Sequence, residues 1–211
     1  MKQIVIISAR SFGREIYSIF NQIFENKEEY TIKGFLDDDK NVLNEFPKYP
    51  PVLGSVDDYE IKADDFFVCA IGNPITKNEF INKIKLKGGR FVNLIHPTSV
   101  IGLNVKLGEG IILGPFSYIG NDSTVGDYVT IQSHVAIGHD VRIGEYNQIN
   151  AFAFLGGYVK LGNFVSIHPG AKIAPKIKIG NKSIIGINSA VIRSVSDGVT
   201  VFGNPAKKVL Y

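Results

Sequence analysis

The chain is 211 residues long, 45% hydrophobic and 20% charged, with 22 glycines, 9 prolines, one cysteine and no tryptophan. That composition excludes a disordered tail and supports one or two domains with cores; no apolar run approaches the roughly 20 residues that span a bilayer, and Cys69 alone can form neither an internal disulfide nor a cysteine zinc site. The net charge of +3 is unevenly spread, with 13 Lys/Arg against 14 Asp/Glu in residues 1–95 and 10 against 6 in residues 96–211.

The N-terminus runs directly into the apolar stretch Ile4–Ile7 with no tripartite export signal, so the expectation is a cytoplasmic protein. Ile4–Ser8 reads as a buried strand. It meets the loop Ser8-Ala-Arg-Ser-Phe-Gly13 and then an amphipathic helix over Arg14–Glu25, with Ile16, Ile19, Phe20 and Ile23 on one face. Ile32–Leu36 is a second strand ending at Asp37-Asp38-Asp39. Phe66–Ile71 is a third, ending at Gly72-Asn73-Pro74. A second helix follows over about Ile75–Lys87, Gly88-Gly89 breaks it, and Phe91–Ile95 is a further strand. Alternating strands and helices imply a parallel sheet with ligands at the C-terminal strand ends. The first loop keeps only its last glycine, so the dinucleotide fingerprint is absent. Residues 1–95 therefore read as a small Rossmann-like α/β domain.

From Ile101 the pattern changes. Stepping by six gives Ile101, Leu107, Leu113, Ile119, Val125, Ile131, Ile137, Ile143, Ile149, Leu155, Leu161, Ile167, Ile173, Ile179, Ile185 and Val191, every one aliphatic. The next residue is Gly in eleven of these sixteen repeats. A helix has an apolar period of 3.6 and does not carry glycine at every sixth position. Period six means a short strand and then a corner. Three such sides close a coil of eighteen residues, and stacked coils pair in parallel about 4.8 Å apart. Glycine beside the anchor is expected to supply backbone angles that other residues resist at a corner. Residues 96–211 thus read as an all-β parallel helix of a little over five coils with a C-terminal tail. Its last coils are strongly basic, with Asp197 the only acid after Gly170. That suits a small polyanion. The basic residues are not interleaved with aromatics, which argues against nucleic acid.

Of four histidines, His96 precedes Pro97 and reads as structural. His134 and His139 are five apart, and His168 fills a slot where Gly is usual. Only His139 has a charged neighbour, Asp140. Imidazole is suited to taking a proton at neutral pH. Adjacent residues of a strand point to opposite faces, so Asp140 can orient His139 only if the pair lies at a corner. One coil beyond His139 is Gly157, where no side chain covers the imidazole.

The hexapeptide series, with Gly180–Val195 and then Val201-Phe-Gly203-Asn-Pro205-Ala-Lys207-Lys208, resembles the hexapeptide-repeat acyltransferases. The loop Ser8–Gly13, Phe35-Leu-Asp37-Asp38, Ala70-Ile-Gly72-Asn73 and Phe91–Pro97 narrow this further. Together they resemble the sialic-acid O-acetyltransferase and bacillosamine N-acetyltransferase family, especially its members acting on nucleotide-linked 4-amino sugars. The resemblance implies a left-handed parallel β-helix, acetyl-CoA as co-substrate without a metal, and a homotrimer with active sites between subunits. It implies His139 as general base beside Asp140, and Gln148, Gly157, Gly186, Ile187 and Lys207 at the cofactor. It places the nucleotide-sugar against Arg10, Ser11, Phe12, Gly13, Asp37, Asp38, Gly72 and Asn73. An O-acetyltransferase acting on a sugar hydroxyl would use the same His139. The His134-x4-His139 spacing also resembles γ-class carbonic anhydrases, whose zinc is held by three histidines.

Overall fold

The computed structural model describes residues 1–24 and 29–209. Two compact units emerge, Met1–Leu94 and Ile95–Tyr211.

The first unit is a parallel sheet with two helices. Strands β1 (Lys2–Ile7), β2 (Tyr30–Leu36), β3 (Val52–Gly54), β4 (Asp65–Cys69) and β5 (Arg90–Phe91) lie in the order β3-β2-β1-β4-β5. Helix α1 (Ser11–Phe24) follows β1, and α2 (Pro74–Leu86) follows β4. The core forms where the apolar run of β1 (Ile4, Val5, Ile6, Ile7) meets Phe35 and Leu36 of β2 and Phe67 and Val68 of β4. Ile16 and Phe20 of α1 and Ile81 and Ile84 of α2 complete it. From β1 the chain builds outward through β2 and β3, then returns to the other side of β1 with β4. Such a reversal opens a crevice beyond the C-terminal strand ends.

Helix α1 begins three residues earlier than its apolar face suggests, because the Arg10 carbonyl already accepts from the Arg14 N–H at 3.0 Å. Its expected end at Glu25 lies outside the described residues. Strand β3 is absent from the sequence reading: three residues behind Pro50-Pro51 show no alternation, yet they pair with Phe35 and Leu36. The expected single strand over Phe91–Ile95 is two. Arg90–Phe91 pairs with Phe66 and Phe67, whereas Leu94–Ile95 opens one of the β-helix sheets.

The second unit is a three-sided parallel β-helix. Two-residue strands repeat every eighteen residues on each face. Tyr118, Ala136, Phe154, Lys172 and Ala190 are successive rungs of one face. Lys106, Thr124, Arg142, Lys160 and Lys178 form the second, and Ile112, Thr130, Gln148, Ser166 and Ile184 the third. The anchors from Leu113 to Val191 are buried in one continuous core, each contributing about 1.5–3 kcal/mol as an upper estimate. Ile101 is 37% exposed, because its strand ends its sheet and pairs on one edge only. Lys207–Lys208 closes the last coil antiparallel to Thr200–Phe202.

The corners correct the glycine argument. The positive φ angles fall three residues after the anchors, at Asn104, Asp122, Asp140 and Tyr158 on one corner, for example, and at Phe116, His134 and Phe152 on another. The glycines beside the anchors are instead required by the approach of the next coil. A Cβ on Gly120 would lie 2.5 Å from the Gly138 carbonyl carbon, and one on Gly138 would lie 2.7 Å from the Gly157 nitrogen.

Candidate active site

Within the β-helix, His139 and Asp140 occupy the corner between the Tyr118 face and the Arg142 face. Asp140 has φ 57°. This left-handed turn swings its carboxylate beside its neighbour's ring, where an extended strand would hold the two apart. His139 Nδ1 lies 2.8 Å from Asp140 Oδ2. A carboxylate only accepts, so the contact places the proton on Nδ1 and leaves the Nε2 lone pair free. The side chains are 61% and 39% exposed.

Gly157 sits one coil on, and its role differs from the expectation of an uncovered imidazole. The ring itself fills the space above the glycine: a Cβ at position 157 would lie 2.7 Å from His139 Nε2 and 2.9 Å from Cε1. Tyr158, which the sequence reading missed, packs edge-on to the imidazole with centroids 5.1 Å apart. Coil arithmetic finds it, since it is eighteen residues beyond Asp140.

The same corner also differs in its backbone. On the next corner, amides are capped by a side-chain oxygen one coil on: Glu109 N–H by Asp127, Glu145 by Asn163, Asn163 by Asn181 and Asn181 by Asp197, all at 2.8–3.0 Å. On the His139 corner only Leu103 N–H is capped, by Asn121. The column continues with His139, Gly157 and Pro175, none of which offers a cap. The N–H groups of Asn121, His139 and Gly157 have no acceptor among the described residues. An uncapped amide row beside an oriented imidazole is chemically suited to donate to an oxyanion.

The remaining histidines play other parts. His96 is buried with Nδ1 2.8 Å from Thr98 Oγ1, and burial lowers its pKa. His134 stacks on Phe152 and meets Phe116 at a tilt. Among the described residues no group of three His, Cys, Asp or Glu side chains gathers to hold a metal ion.

Of the residues expected at the cofactor, only Gly157 adjoins His139. Gln148 is 4% exposed on the third face and donates to Asn150 at 2.9 Å. Gly186 lies under Phe202, whose ring would meet a Cβ at 2.4 Å. Ile187 and Lys207 are exposed elsewhere on the β-helix. Between Glu145 and Asp197 the chain carries no acid but six cations: Lys160, Lys172, Lys176, Lys178, Lys182 and Arg193. Lys160 stacks directly on Arg142 and Lys178 on Lys160. Such like-charged neighbours are mutually destabilising in the absence of an anion.

The first unit holds a cavity of about 390 Å³ at the C-terminal ends of β1, β2 and β4, a size suited to a small-molecule ligand. Arg10, Ser11, Phe12, Asp37, Asp38 and Gly72 line it, together with Thr76 and Phe80 of α2, which the sequence reading missed although an i, i+4 pair shares a helix face. Helix α1 starts at Ser11, so the positive end of its dipole lies at the cavity wall and favours negative charge there. Gly13 and Asn73 do not line the cavity. A Cβ on Gly13 would lie 1.9 Å from the Ser8 carbonyl oxygen, so that residue permits close packing. Asn73 caps α2, accepting from the Ile75 and Thr76 amides.

An α/β unit with a crevice at its strand-order reversal, followed by a hexapeptide β-helix with an oriented histidine, defines a hexapeptide-repeat transferase architecture. Residues 3–84 match the PglD N-terminal domain family, and residues 122–157 match the bacterial transferase hexapeptide (six repeats) family. The front unit is thus similar to PglD N-terminal domains, and the β-helix to bacterial transferase hexapeptide repeats. Among solved structures the chain is similar to WeeI from Acinetobacter baumannii AYE (26% identity, 99% of this chain and 100% of that one, TM-score 0.87). It is also similar to PerB from Caulobacter crescentus, solved with CoA and GDP-perosamine (26% identity, 99% and 98% covered, TM-score 0.87). A histidine-to-asparagine mutant of perosamine N-acetyltransferase from the same organism gives 25% identity, 100% and 98% covered, and a TM-score of 0.89. No curated protein matches. No helix among the described residues is long and apolar enough to cross a membrane.

Proposed function

We propose that this protein transfers the acetyl group of acetyl-CoA to the amino group of a nucleotide-linked 4-amino-deoxysugar. The observation that carries the reading is the His139–Asp140 pair at 2.8 Å, with Nε2 free above Gly157. The substrate amine attacks the thioester carbonyl as neutral NH2. As the C–N bond forms, Nε2 of His139 takes the proton, and the Gly157 N–H donates to the developing oxyanion. Collapse breaks the C–S bond, and the imidazolium returns the proton to the departing CoA sulfur. Asp140 holds the ring in the tautomer this requires and stabilises the imidazolium. Direct transfer needs no acyl-enzyme, and Cys69, the only cysteine, is unsuited as a nucleophile because burial pushes its thiol up to about 12.

The front cavity holds the nucleotide-sugar, with Arg10 and the start of α1 at its diphosphate. Its relative PerB was solved with a ligand of that class and with CoA. The six cations of the last coils complement the phosphates of CoA. The working form is a homotrimer with sites shared between subunits in the cytoplasm. The test is thiol release from acetyl-CoA with UDP-, dTDP- and GDP-linked 4-amino sugars, products being identified by mass. One acetyl added to the amine supports the reading. Transfer only to a sugar hydroxyl makes the protein an O-acetyltransferase, and no acetyl-CoA binding overturns the acyltransferase assignment.

A further inference from the structure

The contact with Asp140 fixes the imidazole of His139 at one atom, Nδ1. A single hydrogen bond leaves a ring free to pivot about that contact. Gly157 gives the ring room and does not clamp it, and a side chain 61% exposed is not held by core packing. The next group against the ring is Tyr158, perpendicular to it at 87° with centroids 5.1 Å apart. The same tyrosine is tied to His139 through its backbone, its N–H donating to the His139 carbonyl oxygen at 3.0 Å.

Tyr158 breaks the pattern of its corner. The column reads Asn104, Asp122, Asp140, Tyr158 and Lys176, all at positive φ. Asn and Asp take that left-handed region readily, and a bulky aromatic does not. Aromatics at the other corners meet a ring one coil away: Tyr128 meets Tyr146, Tyr146 meets Phe164 and His134 meets Phe152, at interplanar angles of 25°, 1° and 19°. Such stacking offsets the cost of the angle. Tyr158 has Asp140 one coil before it and Lys176 one coil after. Its only ring contact among the described residues is with His139.

We infer that Tyr158 is a positioning residue for His139. Its ring stops the imidazole from pivoting about the Asp140 contact and so keeps Nε2 above Gly157. The inference rests on the proposed acetyl transfer with His139 as base, and it gives Tyr158 no contact with either substrate. An edge-on ring pair is worth roughly 2–12-fold in the population of one orientation, and a base out of line with its proton loses rate.

The experiment is thiol-release kinetics, with the amino-sugar nucleotide that the parent acetylates, on the full chain and on Tyr158→Asn, Tyr158→Phe, His139→Ala and the double variant His139→Ala with Tyr158→Asn. Asparagine suits the left-handed corner, so it removes the ring without straining the fold. Melting temperature and molecular mass by light scattering are measured alongside and should match the parent's. The expected result is a fall in kcat of about 3–10-fold in Tyr158→Asn, with KM for both substrates unchanged. Tyr158→Phe keeps the ring and should keep kcat close to the parent's. The double variant should have the kcat of His139→Ala, because a residue that acts through the base adds nothing once the base is gone. Parent-like kcat in Tyr158→Asn overturns the inference alone. So does an equal loss in Tyr158→Phe, which would assign the effect to the hydroxyl, or a raised KM at intact kcat, which would make Tyr158 a substrate contact. A further loss in the double variant, or a changed molecular mass, overturns it too, the latter by moving Tyr158 to a contact between copies. Absence of acetyl transfer by the parent to every amino-sugar nucleotide overturns the acetyltransferase reading and the inference with it.

Discussion

The contact between Gly157 and His139 yields a prediction in which stability and turnover separate. In Gly157→Ala the added methyl would sit 2.7 Å from Nε2 and 2.9 Å from Cε1, against an ordinary contact of about 3.5–4.0 Å. The imidazole must therefore retreat by most of an ångström. It can do so at little cost, since it is the tip of a side chain 61% exposed. Position 157 has no positive φ, so alanine suits its backbone and, by restricting the unfolded chain, adds about 0.4–1 kcal/mol of stability that offsets the displacement. The melting temperature should hold or rise. Turnover should not. A base misplaced by about 1 Å forfeits roughly 10²-fold, so kcat should fall by about that factor while acetyl-CoA still binds. Thiol-release kinetics and a thermal melt on the same preparation make the comparison. Full kcat in a folded Gly157→Ala protein would refute the claim that the glycine exists to house the imidazole.

Removing the proposed base, His139→Ala, should lower kcat by about 10²-fold or more without changing the melting temperature, and near-normal turnover would remove His139 from the mechanism. Gly120→Ala should show the opposite pattern, losing about 1–3 kcal/mol in denaturant unfolding because its methyl meets the Gly138 backbone at 2.5 Å; unchanged stability would contradict the coil-contact explanation of the repeat glycines. Asp65 tests the front domain. Burial alone would raise its pKa, but donation from Lys33 Nζ (2.7 Å), the Lys62 N–H (2.8 Å) and the Tyr59 hydroxyl (2.8 Å) outweighs that and holds it below the usual carboxylate range. A depressed folded-state pKa adds stability that is present above about pH 4 and lost as pH falls through the folded value. Asp65→Asn should therefore lower stability at pH 7 and flatten the acid limb of the stability profile, whereas an acid limb identical to the parent's would show that Asp65 is not the group responsible.

The β-helix is legible because its signal is redundant: sixteen anchors repeat one instruction, and no other fold buries that period. What the glycines are for is less legible. Glycine is compatible with either a strained angle or a close neighbour, and only the stacked coils show that the neighbour decides. Strand β3 escapes because three residues behind two prolines carry no periodicity. The break inside Phe91–Ile95 escapes because an apolar run does not name the sheet it joins. His139 stands out by its acidic neighbour, and the eighteen-residue coil puts Gly157 beside it, yet the sequence leaves open whether that space belongs to a ligand or to the ring. Asp37 and Asp38 are chemically identical neighbours, and only the structure shows that the Ala9 and Asp39 amides donate to Asp37.

The eighteen-residue register also sets how such a chain can change length. One residue inserted within a coil would turn every later anchor toward solvent, so small insertions cannot accumulate gradually along the prism wall. A whole coil can be added or lost without disturbing any face. Placed between the His139 rung and the cationic coils, such a change would move the two apart in steps of about 4.8 Å. Under the proposed function, the reach from His139 to the donor's phosphates would be counted in rungs, and a donor of different length would be accommodated by coil number before any side chain was altered.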